Sequence, residues 1–519
     1  MASGNARAGL LALALAAGAA SLPAQTIDTI VVEPHNVFDD TGSAPGFLAH
    51  LGNALHVTTR PWVIRQTIFF NQGDPYDSAR AVESERALRE LFVFRSVRLD
   101  TTRVDGRLAL RAVTSDGWST KPQLGFGAAG GSTHWELGLN EDNFLGTATT
   151  IGAVYLVTPD RREVDLGYQR PSFLFRRATI SATYRDKSDG TAGLWSYGVP
   201  FYQTSAPFSL ITDGEAAKER VLIFRDGVQV ATPQRRALRF TATGGVALHA
   251  STRGYSRLWL SGTWRREDFD SAAASPFPRS TFGTIGAGLN LGHSRFRIVE
   301  HLNSFARRED ADLSETVGIG VWAAPRAFGY ANGRDGVGLA GQAQGSAVWK
   351  GGFAVLRAAG DGVFGGSGLD SGRVTGSFTA AHFGLPRQTW IVHVEAGSLR
   401  GEKPGDEFDL WTSQNGPRLF GAHQFIGSRM LWAALENRVV VSDDFSGLLG
   451  VGLAPFLDYG GAWYGDERPR EGGDVGLTLR LGPTQAIKGD VAEIAVGYRF
   501  GQGFTGSRWA VAVRRGIRY

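Results

Sequence analysis

The chain has 519 residues, a formal net charge of +4 and no cysteine, so disulfide scaffolds, thiolate metal sites and cysteine nucleophiles are excluded. Its 42% apolar and 20% charged residues fit neither a disordered chain nor a helical membrane protein. The near balance of 54 basic and 50 acidic side chains gives no global field that would attract nucleic acid. Abundant glycine, arginine and aromatic residues favour a β-rich protein with a charged interior.

The first residues have the pattern of a secretory signal. Residues 9–20 (GLLALALAAGAA) form a short apolar core behind a single arginine, and small residues follow them. The run is too short to span a bilayer as a helix. We predict a signal peptide over residues 1–24, cleaved between Ala20 and Gln25. The alternative is a buried helix of a cytoplasmic protein.

Residues 26–115 are predicted to fold as a small α+β unit. A short apolar strand at 27–32 precedes helical segments, and two strands at 96–101 and 107–113 follow them. The last helix is amphipathic, and Asp77 is its expected N-cap. The predicted order is strand, helix, helix, strand, strand, which leaves a sheet edge that can accept an incoming strand.

Residues 116–519 alternate between apolar and polar side chains with a period of two. The alternation is clear at residues 163–169, 178–185, 257–265 and 493–500, where the charged residues share one face. A transmembrane barrel needs an apolar exterior, aromatic residues at the strand ends and a polar lumen. Its sheet must also close, because lipid offers no hydrogen-bond partner to a free edge. We therefore predict a transmembrane antiparallel β-barrel.

The number of strands follows from chain length. Sixteen strands of about ten residues would leave connections averaging about 16 residues, as expected for short turns at one barrel end and long loops at the other. We predict about 16 strands, with extended outer loops at 205–236 and 400–428. The sequence does not settle how residues 281–400 pair.

Four segments carry a resemblance to a known family. They are VIRQTIFFNQGDPYD (63–77), ESERALREL (83–91), FRSVRL (94–99) and LGLNEDNFLGTA (137–148). The first three resemble a POTRA module. The fourth is similar to the turn after the second barrel strand in the BamA and TamA family of outer-membrane assembly and translocation factors. The resemblance implies a periplasmic POTRA-like domain over 26–115 and a sixteen-stranded barrel over 116–519 in a Gram-negative-type outer membrane.

A further motif, GPRLFGAHQFIG (416–427), resembles the tip of the family's long sixth outer loop. Leu419 stands where the family usually has a glycine. Residues 429–439 and 455–463 resemble the two strands that follow this loop. The resemblance implies that the loop tip folds back into the barrel lumen.

This motif predicts a loop-locking cluster. The resemblance implies that Arg418, with Phe420 beside it, reaches toward Glu436 and Asp458. The alternation points both carboxylates into the lumen, because each directly follows a leucine on the lipid face. We assign the cluster a locking role and no catalytic role. The alternative is that these charges belong to ordinary lumen ladders.

The first and last barrel strands carry two further predictions. Residues 121–131 (KPQLGFGAAGG) are poor in side chains and contain a proline, so they should pair weakly with the last strand, 507–519. We predict that a lateral seam opens here and that a client strand pairs with the exposed edge. The alternative, that glycine fits tight curvature, stays open. The predicted seam residues are Gly125, Phe126, Gly127, Val511 and Val513. The resemblance also implies a C-terminal targeting signal that includes Trp509 and Tyr519.

No segment carries a specific enzyme motif. GFGAAG (125–130) matches a dinucleotide fingerprint by its letters but lacks a following helix, and GHSRF (292–296) lacks the second glycine of a nucleophile elbow. His382, His393 and His423 are more typical of lumen or girdle positions than of a catalytic rim. We predict no catalytic residue, no metal and no cofactor.

Two functional classes stay open. The resemblance implies an assembly or translocation factor that inserts or exports β-rich clients, with free energy supplied by client folding and lipid burial. Its partners would be outer-membrane lipids, unfolded β-barrel or secreted clients, and periplasmic accessory proteins or chaperones bound by the POTRA-like domain, without nucleic acid. The alternative is a passive outer-membrane channel or a ligand-binding barrel.

Overall fold

A computed structural model provides the structure of the chain. The described residues are 26–38, 46–129, 131–225, 227–270, 280–305, 308–330, 335–366, 368–401, 405–411, 416–465, 467–484 and 491–516. The predicted signal peptide at 1–24, Gly130 and Tyr519 lie outside these residues.

The N-terminal unit, residues 26–116, combines a small mixed sheet with helices. Its elements are β1 (Thr29–His35), α1 (Gly46–Leu55), α2 (Pro61–Thr67), α3 (Ser78–Glu90), β2 (Phe94–Val104) and β3 (Arg107–Asp116). The strand order is β1-β3-β2, with β1 parallel to β3 and β2 antiparallel to it. Between the first two strands the described residues therefore form three helices, one more than the predicted order contains. Strands β1 and β2 form the two edges of the sheet.

The helix α3 forms for the local reasons that the sequence indicates. The Asp77 carboxylate accepts a hydrogen bond of 2.8 Å from the Ala79 amide, so its prediction as the N-cap is confirmed. Leu88 is fully buried and packs with Ile64 and Leu110 in the core of the unit. Ala148, from a turn of the barrel, joins the same core. None of the described helices combines the length and the apolar character needed to cross a bilayer.

In the described part of the chain, twenty strands close into one antiparallel barrel, so the prediction of sixteen is wrong. In chain order they are β4 (Thr120–Ala129), β5 (Ser132–Glu141), β6 (Thr150–Val157), β7 (Arg162–Arg170), β8 (Thr179–Lys187), β9 (Gly190–Val199), β10 (Phe208–Arg220), β13 (Gln234–Ala250), β14 (Gly254–Phe269), β15 (Ser280–His293), β18 (Glu315–Ala324), β19 (Gly336–Trp349), β20 (Gly352–Gly365), β21 (Gly368–His382), β22 (Gln388–Arg400), β25 (Arg429–Phe445), β26 (Leu449–Trp463), β27 (Glu471–Pro483), β28 (Ala492–Gly501) and β29 (Trp509–Arg515). The described parts of the connections contain three small two-stranded sheets: β11 (Ile223–Arg225) with β12 (Val228–Ala231), β16 (Phe296–Val299) with β17 (Glu309–Asp312), and β23 (Phe408–Asp409) with β24 (Ile426–Gly427).

The strand number exceeds the prediction because many turns are shorter than the assumed average. β20 begins three positions after β19 ends, and β21 follows β20 at the same spacing. Glycine and alanine in β19 (GVGLAGQAQGSAVW) weaken the alternation that would identify it as a strand. The predicted outer loop at 205–236 is mostly strand, because β10, β11, β12 and the beginning of β13 lie within it. The long connection predicted at 400–428 does separate β22 from β25.

The two faces of the barrel wall differ as a membrane protein requires. In β26, Leu457 is 42% exposed on the outside, whereas its neighbours Phe456 and Asp458 are buried inside. The outside of β18 likewise presents Ile319 and Val321. A closed sheet with an apolar exterior and a polar interior is the architecture of transmembrane β-barrels of the outer-membrane type.

The N-terminal unit contacts one end of the barrel, which we call the proximal end; the other is the distal end. The Arg60 guanidinium donates to the Leu145 carbonyl in the β5–β6 turn, with an Nε–O distance of 3.0 Å. The buried Glu83 on α3 accepts from the Thr204 amide in the β9–β10 turn at 2.6 Å. Burial raises the pKa of Glu83 despite these hydrogen bonds from Thr204, which lower it.

Candidate loop-locking site in the barrel lumen

The connection between β22 and β25 enters the barrel from the distal end. We call its described residues, 405–411 and 416–428, the distal loop. Gly416 has a φ of +98°, and a side chain there would collide with the Leu410 carbonyl, so the backbone path requires glycine. From this turn the chain passes through Arg418, Leu419 and Phe420, which are all buried. The loop tip is therefore packed inside the wall of the barrel.

The Arg418 guanidinium occupies the centre of a buried polar cluster. Its Nε lies 2.6 Å from Asp458 Oδ2, and its Nη2 lies 3.1 Å from Asp458 Oδ1, so the pair is bidentate. The same Nη2 lies 3.2 Å from Glu436 Oε2. All three side chains are fully buried. The guanidinium also lies over the Phe456 ring, 4.0 Å from its centroid, in cation–π geometry.

Strand register brings the two carboxylates together. β25 and β26 are neighbours, and Leu435 pairs directly with Leu457. Because side chains alternate along a strand, the outward position of these leucines turns Glu436 and Asp458 into the lumen. The two acids come from different strands, so a single arginine from the loop can bind both.

The buried polar cluster also contains residues that the sequence analysis did not predict. Thr478 Oγ1 lies 3.4 Å from Arg418 Nη1, and Asp474 accepts a hydrogen bond of 2.7 Å from the Leu419 amide. Arg438 binds Glu436 through its Nε at 2.7 Å. The outward-facing Val475 and Leu477 could have identified Asp474 and Thr478 as lumen residues.

Phe420 and Leu419 pack in two different apolar clusters beside the ions. Phe420 contacts Phe425 and Phe504, with ring centroids 5.0 and 5.8 Å apart. Leu419, where the sequence resemblance leads one to expect a glycine, is fully buried against Phe456 and other apolar lumen side chains. Leu419 is not among the residues with positive φ. Since this position needs no left-handed backbone, it can accept a leucine.

A second polar contact fixes the distal loop near the barrel mouth. His423 Nδ1 binds Asp409 within the loop, at 2.5 Å, and His423 Nε2 binds Asp160 in the β6–β7 turn, at 2.9 Å. The ring stacks on Phe224 of β11 with centroids 3.8 Å apart. Burial lowers the pKa of His423, but hydrogen bonds to the two aspartates outweigh it and raise the pKa to about 9. His423 is therefore a cation at neutral pH.

The other two histidines lie elsewhere. His382 ends β21 and accepts from the Trp349 indole at 3.2 Å, whereas His393 of β22 contacts Thr379 at 2.8 Å. The three histidines that the sequence analysis considered therefore belong to separate surroundings.

The barrel closes between its first and last strands. Among the described residues, β29 and β4 are paired at one position, where Val513 lies opposite Ala128. By contrast, β29 pairs with β28 along Ala492–Tyr498, and β4 pairs with β5 along its whole length. Across the closure, Arg515 of β29 forms an ion pair with Glu136 of β5.

The other predicted residues of the closure lie on these strands. On β4, Phe126 is exposed on the outside, and the Glu136 and His134 side chains of β5 lie across Gly125 and Gly127. Val511 is exposed on β29. Trp509 begins β29, is 66% exposed and packs edge-on against Tyr498.

Comparisons with known proteins identify a shared fold. No family model matches the chain, and no curated protein matches it. Among solved structures, CdiB from Escherichia coli aligns at 11% identity with a TM-score of 0.50, over 95% of this chain and 76% of that chain. BamA from Haemophilus ducreyi lacking POTRA domains 1–3 aligns at 12% identity with a TM-score of 0.41, over 94% of this chain and 84% of that one. The likeness to CdiB shows a common barrel fold.

Proposed function

We propose that this protein is an outer-membrane assembly or translocation factor that inserts or exports β-rich client proteins. The observation that carries the proposal is the buried contact of Arg418 with Glu436 and Asp458, because it matches the lock that the loop motif implies. Such a lock holds a loop inside a barrel without any chemistry of its own. The lock therefore supports a protein that works by changing conformation in a Gram-negative-type outer membrane.

The N-terminal unit then acts as a periplasmic POTRA-type module. Its sheet order β1-β3-β2 makes β1 and β2 edge strands, with no further strand beside either of them among the described residues. An unfolded client or an accessory protein can add a strand to such an edge, which gives affinity through main-chain hydrogen bonds. The proximal end of the barrel is accordingly the periplasmic end.

The seam between β4 and β29 is where we propose that clients leave the barrel. Among the described residues the closure has a single aligned pair, so it should cost less to open than a neighbouring strand pair, because fewer ladder hydrogen bonds must break. An opened seam offers a client strand two free edges. Client folding and lipid burial supply the free energy, so the proposal needs no cofactor.

A disulfide across the seam tests lateral opening. The chain has no cysteine, and Ala128→Cys with Val513→Cys places two thiols at directly paired positions. Paired strands hold their Cα atoms about 4.5–5.5 Å apart, which a disulfide can bridge. The matched control, Ala128→Cys with Thr133→Cys, joins β4 to β5 instead.

Oxidation of the seam variant should stop client insertion, and reduction should restore it, whereas the control should work in both states. Clients are identified by depleting the protein and profiling all outer-membrane proteins. Unchanged insertion with a fully crosslinked seam would show that lateral opening is wrong. If depletion changes no outer-membrane protein or lipid, the assembly function itself is refuted.

A passive channel is the second candidate. The observation that favours it is a polar recess of about 340 Å³ on the lumen side of β18–β22, lined by Gln342, Gln344, Arg357, Ser377 and Glu395 among others. Barrels of this strand number are wide enough for an aqueous path. A large and steady conductance in planar bilayers, without gating, would support the channel against the assembly factor.

A further inference from the structure

A segment from the proximal end also enters the barrel. The connection between β15 and β18 forms the hairpin β16–β17, and we call its described residues, 294–305 and 308–314, the proximal insert. Leu302 and Val299 are buried against Ile391, on the lumen side of the wall. Phe305 is 2% exposed and packs against Val440 and Val491. The insert is therefore anchored in the lumen by apolar contacts.

Glycines in the wall make room for this anchor. A side chain at Gly450 or Gly482 would collide with the Phe305 ring, and one at Gly452 would lie 3.1 Å from it. The Arg480 guanidinium lies 5.6 Å from the centroid of the same ring. The position of Phe305 is thus specified by close backbone approach as well as by apolar burial.

The insert shares hydrogen-bonded partners with the loop-locking site. Arg438 donates from Nη1 to the Leu302 carbonyl and from Nε to Glu436 Oε1, the latter at 2.7 Å. Glu436 uses its other oxygen for Arg418 of the distal loop. Arg438 and Glu436 are almost completely inaccessible to solvent. A continuous buried chain, Arg418–Glu436–Arg438–Leu302, therefore joins the tip of the distal loop to the proximal insert.

The same insert is tied to the N-terminal unit. Arg89 of α3 forms a bidentate pair with Asp310 of β17, with Nε–Oδ2 and Nη2–Oδ1 distances of 2.7 and 2.9 Å. The neighbouring Arg86 lies over the Phe296 ring of β16, 4.3 Å from its centroid. Both contacts are between α3 and the hairpin, so a displacement of the N-terminal unit would pull on the insert.

We infer that the proximal insert transmits the position of the N-terminal unit to the distal-loop lock. The inference rests on the proposed function, since it assumes that release of Arg418 is a working step. Undocking α3 would remove the Asp310 contact, loosen the hairpin and withdraw the Leu302 carbonyl from Arg438. Arg438 would then lose the acceptor that fixes its guanidinium and would hold the Glu436 carboxylate less firmly toward Arg418, so the distal loop would be released. Because coupling is reciprocal, release of the loop would also weaken docking of α3.

The test measures how accessible the distal loop becomes when the Arg89–Asp310 contact between α3 and β17 is removed. Ala422→Cys supplies a single reporter thiol on the distal loop, where the native side chain is 7% exposed. Its reaction with a membrane-impermeant maleimide is followed in intact cells. Asp310→Asn removes the charge at the α3–β17 contact, and Arg89→Gln removes it from the other side. The matched control, Asp100→Asn, breaks a bidentate Arg111–Asp100 pair with both distances at 2.8 Å within the N-terminal sheet.

We expect Asp310→Asn and Arg89→Gln each to raise the labelling rate by about fivefold or more, the lower end of ordinary coupling between sites. Asp100→Asn should leave it unchanged. Arg418→Met, tested in parallel, should raise the rate because it cuts the lock directly. Heat-modifiable migration of unheated samples verifies that each barrel is folded.

If Arg418→Met raises labelling while both α3–β17 variants behave like the control, the relay is refuted and the lock stands. If Arg418→Met leaves labelling unchanged, the lock itself is refuted, and the relay with it.

Discussion

Two parts of the barrel wall both point charged side chains into the lumen, but these charges differ in how deeply they are buried. Around β25–β28 the distal loop covers the charges, and the Arg418–Asp458 pair is fully buried. On the wall formed by β10 and β13, the Arg239–Asp213 pair has a comparable distance of 2.8 Å, but its side chains are 35% and 31% exposed. The contact distances are therefore similar, but the Arg418–Asp458 pair is bidentate and fully buried, whereas Arg239 makes one partly exposed contact with Asp213.

The difference decides what each pair contributes. An exposed pair is screened by water and contributes little, whereas a buried charge that loses its partner is left uncompensated in a medium of low dielectric constant. The covered wall should therefore respond strongly to single substitutions and the open wall weakly. The following predictions test that contrast, in decreasing order of expected effect.

The largest effect is expected for Arg418→Met. It leaves the buried Asp458 carboxylate without its bidentate partner, and we expect a loss of about 3–5 kcal/mol in the free energy of unfolding. Urea unfolding in lipid vesicles, followed by tryptophan fluorescence, measures it. Arg418→Lys keeps the charge and should recover part of the loss. A loss below about 1 kcal/mol would contradict a buried lock, since that is the range of exposed pairs.

An intermediate effect is expected from His423 and depends on pH. Its folded-state pKa of about 9 lies above the ordinary value of 6.5, so the stabilisation is complete below about pH 6.5 and is lost as the pH rises through 9. The shift corresponds to about 3 kcal/mol.

Unfolding of the native chain and of His423→Gln, compared between pH 6.5 and 9.5, measures this contribution. The two stabilities should converge at the alkaline end. Asp160→Asn removes one of the two aspartate partners and should reduce the pH dependence. Parallel curves over the whole interval would exclude a protonated His423 as a contact of the distal loop.

The smallest effect is expected for Arg239→Met on the open wall. The pair with Asp213 is about one-third exposed, so we expect a loss of at most about 1 kcal/mol in the same unfolding assay. A loss as large as that of Arg418→Met would remove the distinction between the two walls. A negligible loss for Arg239→Met would strengthen the distinction between the two walls.

The fold class and part of the site were accessible from local patterns. Period-two alternation identified the barrel and turned Glu436 and Asp458 away from the lipid-facing leucines. The same argument, applied to Val475 and Leu477, would have found Asp474 and Thr478. The loop motif singled out Arg418 and Phe420, but the structure separates their roles, since Arg418 binds the two carboxylates whereas Phe420 packs against Phe425 and Phe504.

The strand number and the proximal insert were not accessible in this way. A closed barrel needs its strand number, tilt and stagger to agree, which is a property of all turns together. The insert is held by contacts such as Arg438–Leu302 and Arg89–Asp310, which join residues far apart in the chain. The sequence of residues 294–314 by itself does not predict these partners.

The sequence by itself determined that the chain forms inward-polar and outward-apolar strands, and that α3 begins after Asp77. These features depend on neighbours one to four positions away, where backbone geometry fixes which side chains share a face. Over the described residues, the tertiary structure decided that twenty strands form the barrel, that β29 meets β4 at one aligned pair, and which lumen charges are covered. Those outcomes depend on how the loops pack and how the whole barrel closes. The burial of a lumen side chain depends on which distant segment covers it, and its position within the strand does not determine that.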